Sequence, residues 1–174
     1  VEVNFRHRDP TAVIAIDRVP ELRQWRHDGD SVLIGSCVTY REIERGPLST
    51  LVPALAQSAR TIGSPQIRNA GTIGGNLGTA SPAGDMIPVL LALNATVTIR
   101  SISGSRTVSI DNLITGVKKT SLAENEFIES VKVPILRGSQ EFLKVGPRNA
   151  MVISIASLAM VTDMDRKTIA VALG

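Results

Sequence analysis

Apolar and polar positions along this chain follow two different periods, and the switches between them mark its elements. AVIAI at 12–16, closed by Asp17, reads as a short buried strand, and SVLIG at 31–35 as a second one after the turn signal Asp28-Gly29. Between them, Leu22 and Trp25 stand three apart, the spacing of a helical turn within 20–27. Thr39 with Glu42 three positions on is a capping box, which predicts a short helix ended by Gly46 and Pro47. The clearest helix is 48–62. Leu51, Leu55, Ala59 and Ile62 share one face, Ser49 or Thr50 can cap it, and Pro53 is tolerable in its first turn. Gly63 is placed to terminate it. A further helix is expected over 86–93, with Asp85 as N-cap and Pro88 in the first turn.

Period two then takes over. ATVTIR at 95–100 and RTVSI at 106–110 flank Ser103-Gly104 as a hairpin, and Asp111 caps a short helical turn. A strand follows over 127–133, ended by Pro134, and 136–139 reads as a linker. EFLKVG at 141–146 and TIAVAL at 168–173 read as strands. VISIASLAMV at 152–161 is β-branched enough for a strand, although its pattern alone also fits a buried helix. The mixture, with strands and helices in separate runs, defines an α+β class.

Composition narrows the function. The 174 residues suffice for one or two small domains, with 43% hydrophobic and 20% charged residues as in ordinary globular proteins. The net charge of +3 is mild, the basic residues are scattered, and aromatics make up only 3%, so nucleic acid is excluded as a partner. No apolar run reaches the ~18 residues of a membrane span, and no signal peptide is visible. Cys37 is the single cysteine, so this chain cannot itself ligate an iron–sulfur cluster, and beside a strand it reads as a buried thiol. His7 and His27 have no neighbouring ligand-type residues and read as surface residues.

The candidate chemistry lies in GSPQIRNAGTIGGNLGTASPAGD, 63–85, which holds six of the 14 glycines; between Arg68 and Arg100 the only charged side chain is Asp85. Glycines with small hydroxyls and amides suit a backbone approached closely by a bulky non-protein group, and exposed amides in such turns hold anions without a lysine. A nucleotide-type cofactor is the first expectation. The spacing of Gly71, Gly74, Gly75 and Gly78 is neither G-x-G-x-x-G nor a Walker loop.

Gly-Thr-Ile-Gly-Gly-Asn at 71–76, followed by Thr79, Ser81-Pro82 and Asp85, resembles the second flavin-binding motif of the FAD subunits of molybdenum hydroxylases, the family of xanthine dehydrogenase and of the carbon monoxide dehydrogenase medium subunit. The resemblance covers nearly the whole chain. It implies a PCMH-type FAD-binding domain over 1–135, a mixed or antiparallel sheet with flanking helices, then the start of a C-terminal flavoprotein α+β domain over 139–174. It also implies a first glycine-rich loop upstream of Val1 and further residues beyond Gly174, so that the chain reads as a fragment lacking half of the diphosphate cradle.

By the same resemblance, amides around Thr72, Ile73, Gly74 and Gly75 contact the diphosphate, with Asn76 and the Thr72 hydroxyl adding hydrogen bonds; self-bonding within the loop is the competing role of those two. Asp85 either accepts from a ribose hydroxyl or caps its helix, or does both. Thr79 and Ser81 hydrogen-bond near the nucleotide or cap the turn before Pro82. Ile62 and Gly63 match the approach to the flavin ring, with the core end of the helix as the alternative for Ile62. Ile128 and Lys144 align with positions that touch the flavin region. There a cation would stabilise the reduced anionic flavin, whereas a solvated strand lysine is the ordinary alternative. Arg68 and Arg148 read as structural or interface residues.

No catalytic triad, carboxylate pair or metal cluster is expected, because the redox chemistry belongs to FAD. The implied partners are an iron–sulfur small subunit with 2Fe-2S clusters and a molybdenum–pterin large subunit, and the implied location is cytoplasmic. Two other readings stay open: a docking fragment that does not hold FAD, and a stand-alone PCMH-type flavin oxidase. The oxidase would call for a catalytic base or a covalent flavin attachment site, and neither histidine has the setting for it.

Overall fold

The computed structural model describes residues 12–148 and 150–174. A short 3-10 turn, Pro20–Arg23, leads into β1 (Trp25–Asp28) and β2 (Ser31–Gly35), paired antiparallel around Gly29, whose φ of 61° suits glycine in the two-residue turn. Then follow helices α1 (Tyr40–Arg45), α2 (Leu48–Leu51), α3 (Pro53–Thr61), α4 (Pro65–Ala70), α5 (Ile73–Thr79) and α6 (Met86–Ala92). The chain returns through β3 (Thr96–Ser101), β4 (Gly104–Ser109), a turn of helix α7 (Ile110–Leu113), the small hairpin β5 (Ile114–Gly116) and β6 (Lys119–Thr120), and β7 (Phe127–Pro134). Strands β8 (Gln140–Val145), β9 (Ala156–Asp163) and β10 (Thr168–Leu173) complete it.

The first sheet has five strands in the order β1-β2-β7-β3-β4, every pairing antiparallel. The second is the meander β10-β9-β8. Helices α3 and α6 pack against the second sheet. One apolar cluster passes from Ile34, Val97 and Val131 of the first sheet through Leu55 and Leu90 of these helices to Phe142 and Val161 of the second. The α+β architecture with antiparallel sheets is the one expected.

Several local expectations hold for the stated reasons. Thr39 and Glu42 form the reciprocal capping box, Thr39 N–H donating to Glu42 Oε2 at 2.8 Å and Glu42 N–H to Thr39 Oγ1 at 3.2 Å. Thr39→Ala is accordingly expected to cost about 1 kcal/mol, measured by urea unfolding. Gly63, at φ 48°, follows the C-cap Ile62 of α3.

Others are corrected. The run 12–16 forms no strand; Val13 and Ile14 are 77% and 85% exposed, because the edge strand β1 pairs only with β2 among the described residues and no ladder receives the run. The segment 20–27 is half turn and half strand. The 48–62 helix is broken at Val52 (φ −136°, ψ 70°), since the residue before a proline is driven out of the helical region and Pro53 starts α3 afresh. Asp85 has helical dihedrals and its side chain makes no cap bond. The strand over 152–161 begins only at Ala156. His7 lies outside the described residues; His27 is on β1, with its ring 6.0 Å from that of Trp25.

Candidate functional site

The glycine-rich stretch is not a loose loop: it carries α4 and α5, because Ser64 and Thr72 each stand where a hydroxyl can cap a helix. Ser64 accepts from Ile67 N–H and Thr72 from Gly75 N–H. Residues 36–40 run antiparallel to 71–74 and stitch the start of α5 to the end of the first sheet. Tyr40 N–H donates to Gly71 O at 3.0 Å, Ile73 N–H to Val38 O at 3.2 Å and Gly74 N–H to Ser36 O at 2.9 Å.

This stitching and the Thr72 cap engage three of the four amides assigned to a diphosphate. Ile73 and Gly74 donate across to 36–38, Gly75 donates to Thr72 Oγ1 at 3.0 Å, and Asn76 donates to Thr72 O at 3.0 Å. A helix start that is capped and bridged in this way has acceptors within the chain for these donors, so a diphosphate here would have to share the amides of Ile73, Gly74 and Gly75 with them.

The glycines divide by what holds them. A Cβ on Gly74 would lie 2.6 Å from Ser36 Cβ and 2.7 Å from Ser36 O, so the crossing of two chain segments requires glycine there. A Cβ on Gly78 would meet nothing within 4 Å, and one on Gly75 only the Thr72 hydroxyl at 3.2 Å. Both are exposed on α5, where glycine costs about 1 kcal/mol relative to alanine and the chain offers no reason for it. Their bare face opens on a cleft of about 410 Å³, shared with Thr72, Gly74, Cys37 and Ile128.

Glu126 borders the same cleft. The Arg106 guanidinium, donating to both its oxygens at 2.8 Å, and the Ala123 amide hold its carboxyl down at about 2. A carboxylate lowered in the folded state contributes stability above its ordinary pKa and loses it as pH falls toward 2. NMR titration is expected to find Glu126 ionised throughout the range from neutral to about pH 3.

Between the end of α3, the start of α6 and β8 lies a buried polar group. Asp85 Oδ2 is 2.6 Å from Lys144 Nζ and 3.3 Å from Thr61 Oγ1, with side chains only 4% and 6% exposed for Asp85 and Lys144. Burial pushes the Asp85 carboxyl up, and the Lys144 ammonium opposes it. Lys144 also donates to Thr61 O at 3.4 Å, so this lysine is buried rather than solvated. Asn76 donates through Nδ2 to Tyr40 Oη at 3.2 Å. Burial pushes the Tyr40 hydroxyl pKa up, against the pull of the Asn76 bond. Two buried acceptor atoms, Asn76 Oδ1 and Asp85 Oδ1, have no donor.

The expected site residues thus separate. Thr72, Gly74, Gly75 and Ile128 share the smaller cleft, while Gly63 and Lys144 border a larger one of about 930 Å³. Ile73 is fully buried in the core and Ile62 packs against its edge. Thr79 Oγ1 donates to Gly75 O at 2.7 Å, and Ser81 accepts from Ala83 N–H, the turn-capping role. Arg68 is structural: it caps the end of α3 through Ile62 O and Gly63 O at 3.2 and 3.0 Å and pairs with Glu44 at 3.1 Å. Ser36, Cys37 and Gly78 went unmarked in the sequence as cleft residues, since only the antiparallel crossing brings 36–37 to α5.

The whole arrangement superposes on chains of known structure. The structure matches carbon monoxide dehydrogenase from Hydrogenophaga pseudoflava, determined without the Mo-pyranopterin moiety of its cofactor, with a TM-score of 0.91, 31% identity, and coverage of 99% of this chain and 62% of that one. Quinoline 2-oxidoreductase from Pseudomonas putida 86 gives a TM-score of 0.92 at 26% identity over 99% and 62%. In sequence, the nicotinate dehydrogenase FAD-subunit of Eubacterium barkeri is 34% identical over 95% of this chain and 58% of its own length. The carbon monoxide dehydrogenase medium chain of Hydrogenophaga pseudoflava is 35% identical over 76% and 46%. The fold is the one shared with chains of carbon monoxide dehydrogenase and quinoline 2-oxidoreductase. More particularly, residues 1–136 match the FAD binding domain in molybdopterin dehydrogenase, and the chain belongs to that family. It spans about half the length of the curated relatives it matches.

Proposed function

We propose that this chain is the FAD-holding part of a flavoprotein subunit in a molybdenum hydroxylase, passing electrons from 2Fe-2S clusters on a small partner subunit to an acceptor. Those clusters would be fed by a molybdenum–pterin large subunit, which would choose the primary substrate. A cytoplasmic location accompanies this reading; no helix among the described residues is long and apolar enough to cross a membrane. Residues 139–174 would begin a second domain, a division supported by the irregular segment at 135–139 and by the end of the family match at 136.

The observation that carries the proposal is the bare face of α5, Gly75 and Gly78, which the fold leaves open beside a cleft and does not itself require. FAD, when bound, supplies the redox chemistry. The residues of this chain supply shape. Gly75 and Gly78 admit a bulky group and Ile128 offers an apolar wall. Thr72, Thr79 and Ser81 would join only by sharing hydroxyls already used within the chain. The engaged amides of Ile73, Gly74 and Gly75 favour the second reading, a docking module without FAD.

Purifying the flavoprotein subunit and identifying its extracted cofactor by absorbance and mass separates the two. Gly75→Val is expected to abolish FAD retention while the far-ultraviolet circular dichroism stays unchanged. Full retention would remove the glycine face from the site, and a colourless wild-type subunit would leave the docking reading standing.

A further inference from the structure

Tyr40 and Asn76 form a polar pair that stability alone does not explain. Tyr40, the first residue of α1, is 6% exposed, and its hydroxyl accepts from Asn76 Nδ2 at 3.2 Å. Glycines make room on both sides. A Cβ on Gly71 would lie 2.6 Å from Tyr40 Cε2, and one on Gly84 would meet Ser81 O at 2.9 Å and Asn76 Oδ1 at 3.3 Å. Asn76 Oδ1 is buried there without a donor. An unpaired buried acceptor keeps its full desolvation penalty, whereas an apolar pair of the same shape would carry none.

The position of Asn76 gives the pair a use. Helix α5 reads Ile-Gly-Gly-Asn-Leu-Gly-Thr, and with three glycines in seven residues it has little rigidity of its own. The crossing of 36–38 holds its start, Lys118 N–H donating to Ala80 O at 2.9 Å holds its end, and Ile73 and Leu77 anchor its inner face in the core. Asn76 stands between Gly75 and Gly78, and its side chain ties the middle of α5 sideways to α1. We infer that Tyr40 is a positioning residue for the glycine-faced cleft: through Asn76 it fixes the rotation of α5 about its own axis, and so the height at which Gly75 and Gly78 face the group bound there. The margin is small. Cα atoms lie about 2.3 Å from a helix axis, so a turn of about 20° moves them by about 0.8 Å. A gap of that size forfeits a large part of a van der Waals contact. That the bound group is FAD rests on the flavin reading; the bracing of α5 does not.

The test compares two variants of the flavoprotein subunit. Tyr40→Phe keeps the ring against Gly71 and deletes the hydroxyl, while Val161→Ala removes buried volume from β9 in the second sheet. Folding is checked by far-ultraviolet circular dichroism, FAD affinity by flavin fluorescence on reconstitution, and amide exchange over 73–79 by mass spectrometry of the flavin-free subunit. Tyr40→Phe is expected to raise the Kd for FAD by about tenfold and to speed exchange over 73–79. Val161→Ala is expected to lower the melting temperature at least as far and to change neither. Unchanged FAD affinity in Tyr40→Phe, or an equal loss of affinity in Val161→Ala, would overturn the inference while leaving the flavin reading intact. Should Tyr40→Phe not fold, Asn76→Leu is read in its place with the same expected results. If wild type binds no FAD, the flavin reading fails, and exchange over 73–79 still decides the brace: unchanged exchange in Tyr40→Phe would overturn it.

Discussion

Lys144→Met is expected to destabilise the protein by about 3–5 kcal/mol, the largest effect of any single side chain outside the apolar core. The change leaves the Asp85 carboxylate buried with only the Thr61 hydroxyl to solvate it, and its Oδ1 already has no donor. Asp85→Leu is expected to cost a similar amount by stranding the ammonium against Thr61 O. The double variant should recover most of the loss, because two apolar side chains fill the same space without desolvating any charge. Urea unfolding of the four proteins closes the cycle, and a coupling energy near zero would mean that the pair is not buried as described. The pair also joins the Thr61 end of α3 to β8, alongside Gln57, which accepts from Phe142 N–H at 2.6 Å and donates to Glu141 at 3.0 Å. Unfolding of the second sheet should therefore lead in the single variants, visible as early amide exchange over β8.

The pH dependence of the same group follows from its direction. Burial raises the Asp85 carboxyl in the folded state, so the folded protein binds that proton more readily than the unfolded one. The stability it contributes is fully present below the ordinary carboxylate pKa and is lost as pH rises through the higher folded value. Asp85→Leu should remove that component from a plot of melting temperature against pH.

Gly78→Leu and Gly74→Ala are expected to behave in opposite ways. At Gly78 a side chain has open space, and leucine replaces a poor helix former, so stability should rise by up to about 1 kcal/mol while FAD retention is lost. At Gly74 even a methyl group collides with Ser36 Cβ and backbone, which cannot rotate away. That variant should lose about 1–3 kcal/mol or more and any cofactor defect would follow from misfolding. Thermal melts read beside bound flavin distinguish the two; a Gly78→Leu protein that keeps its flavin would detach α5 from the site.

The capping box at Thr39, the hairpin around Ser103-Gly104 and the Gly63 stop were legible because each depends on residues within about four positions of one another. The glycine stretch was legible as chemistry, but not as structure: α4 and α5 are short and rich in glycine, and they exist because Ser64 and Thr72 cap them and residues 36–40 hold them. Lys144 and Asp85 were both marked as candidate cofactor contacts, yet their pairing could not be seen across 59 intervening steps of chain.

By itself the sequence determined the α+β class, with its helices and strands in separate runs, and the segment where a cofactor would approach, since these follow from local period, turn residues and composition. Only the tertiary structure decided which donors remain available. The crossing of 36–38 over 73–74 gives the Ile73 and Gly74 amides acceptors within the chain. The docking of β8 on α3, with Asp85 at the start of α6, turns a strand lysine into a buried counter-ion. Hydrogen-bond and charge satisfaction are settled by whichever partner arrives in space, and that information is not carried by neighbours in the chain.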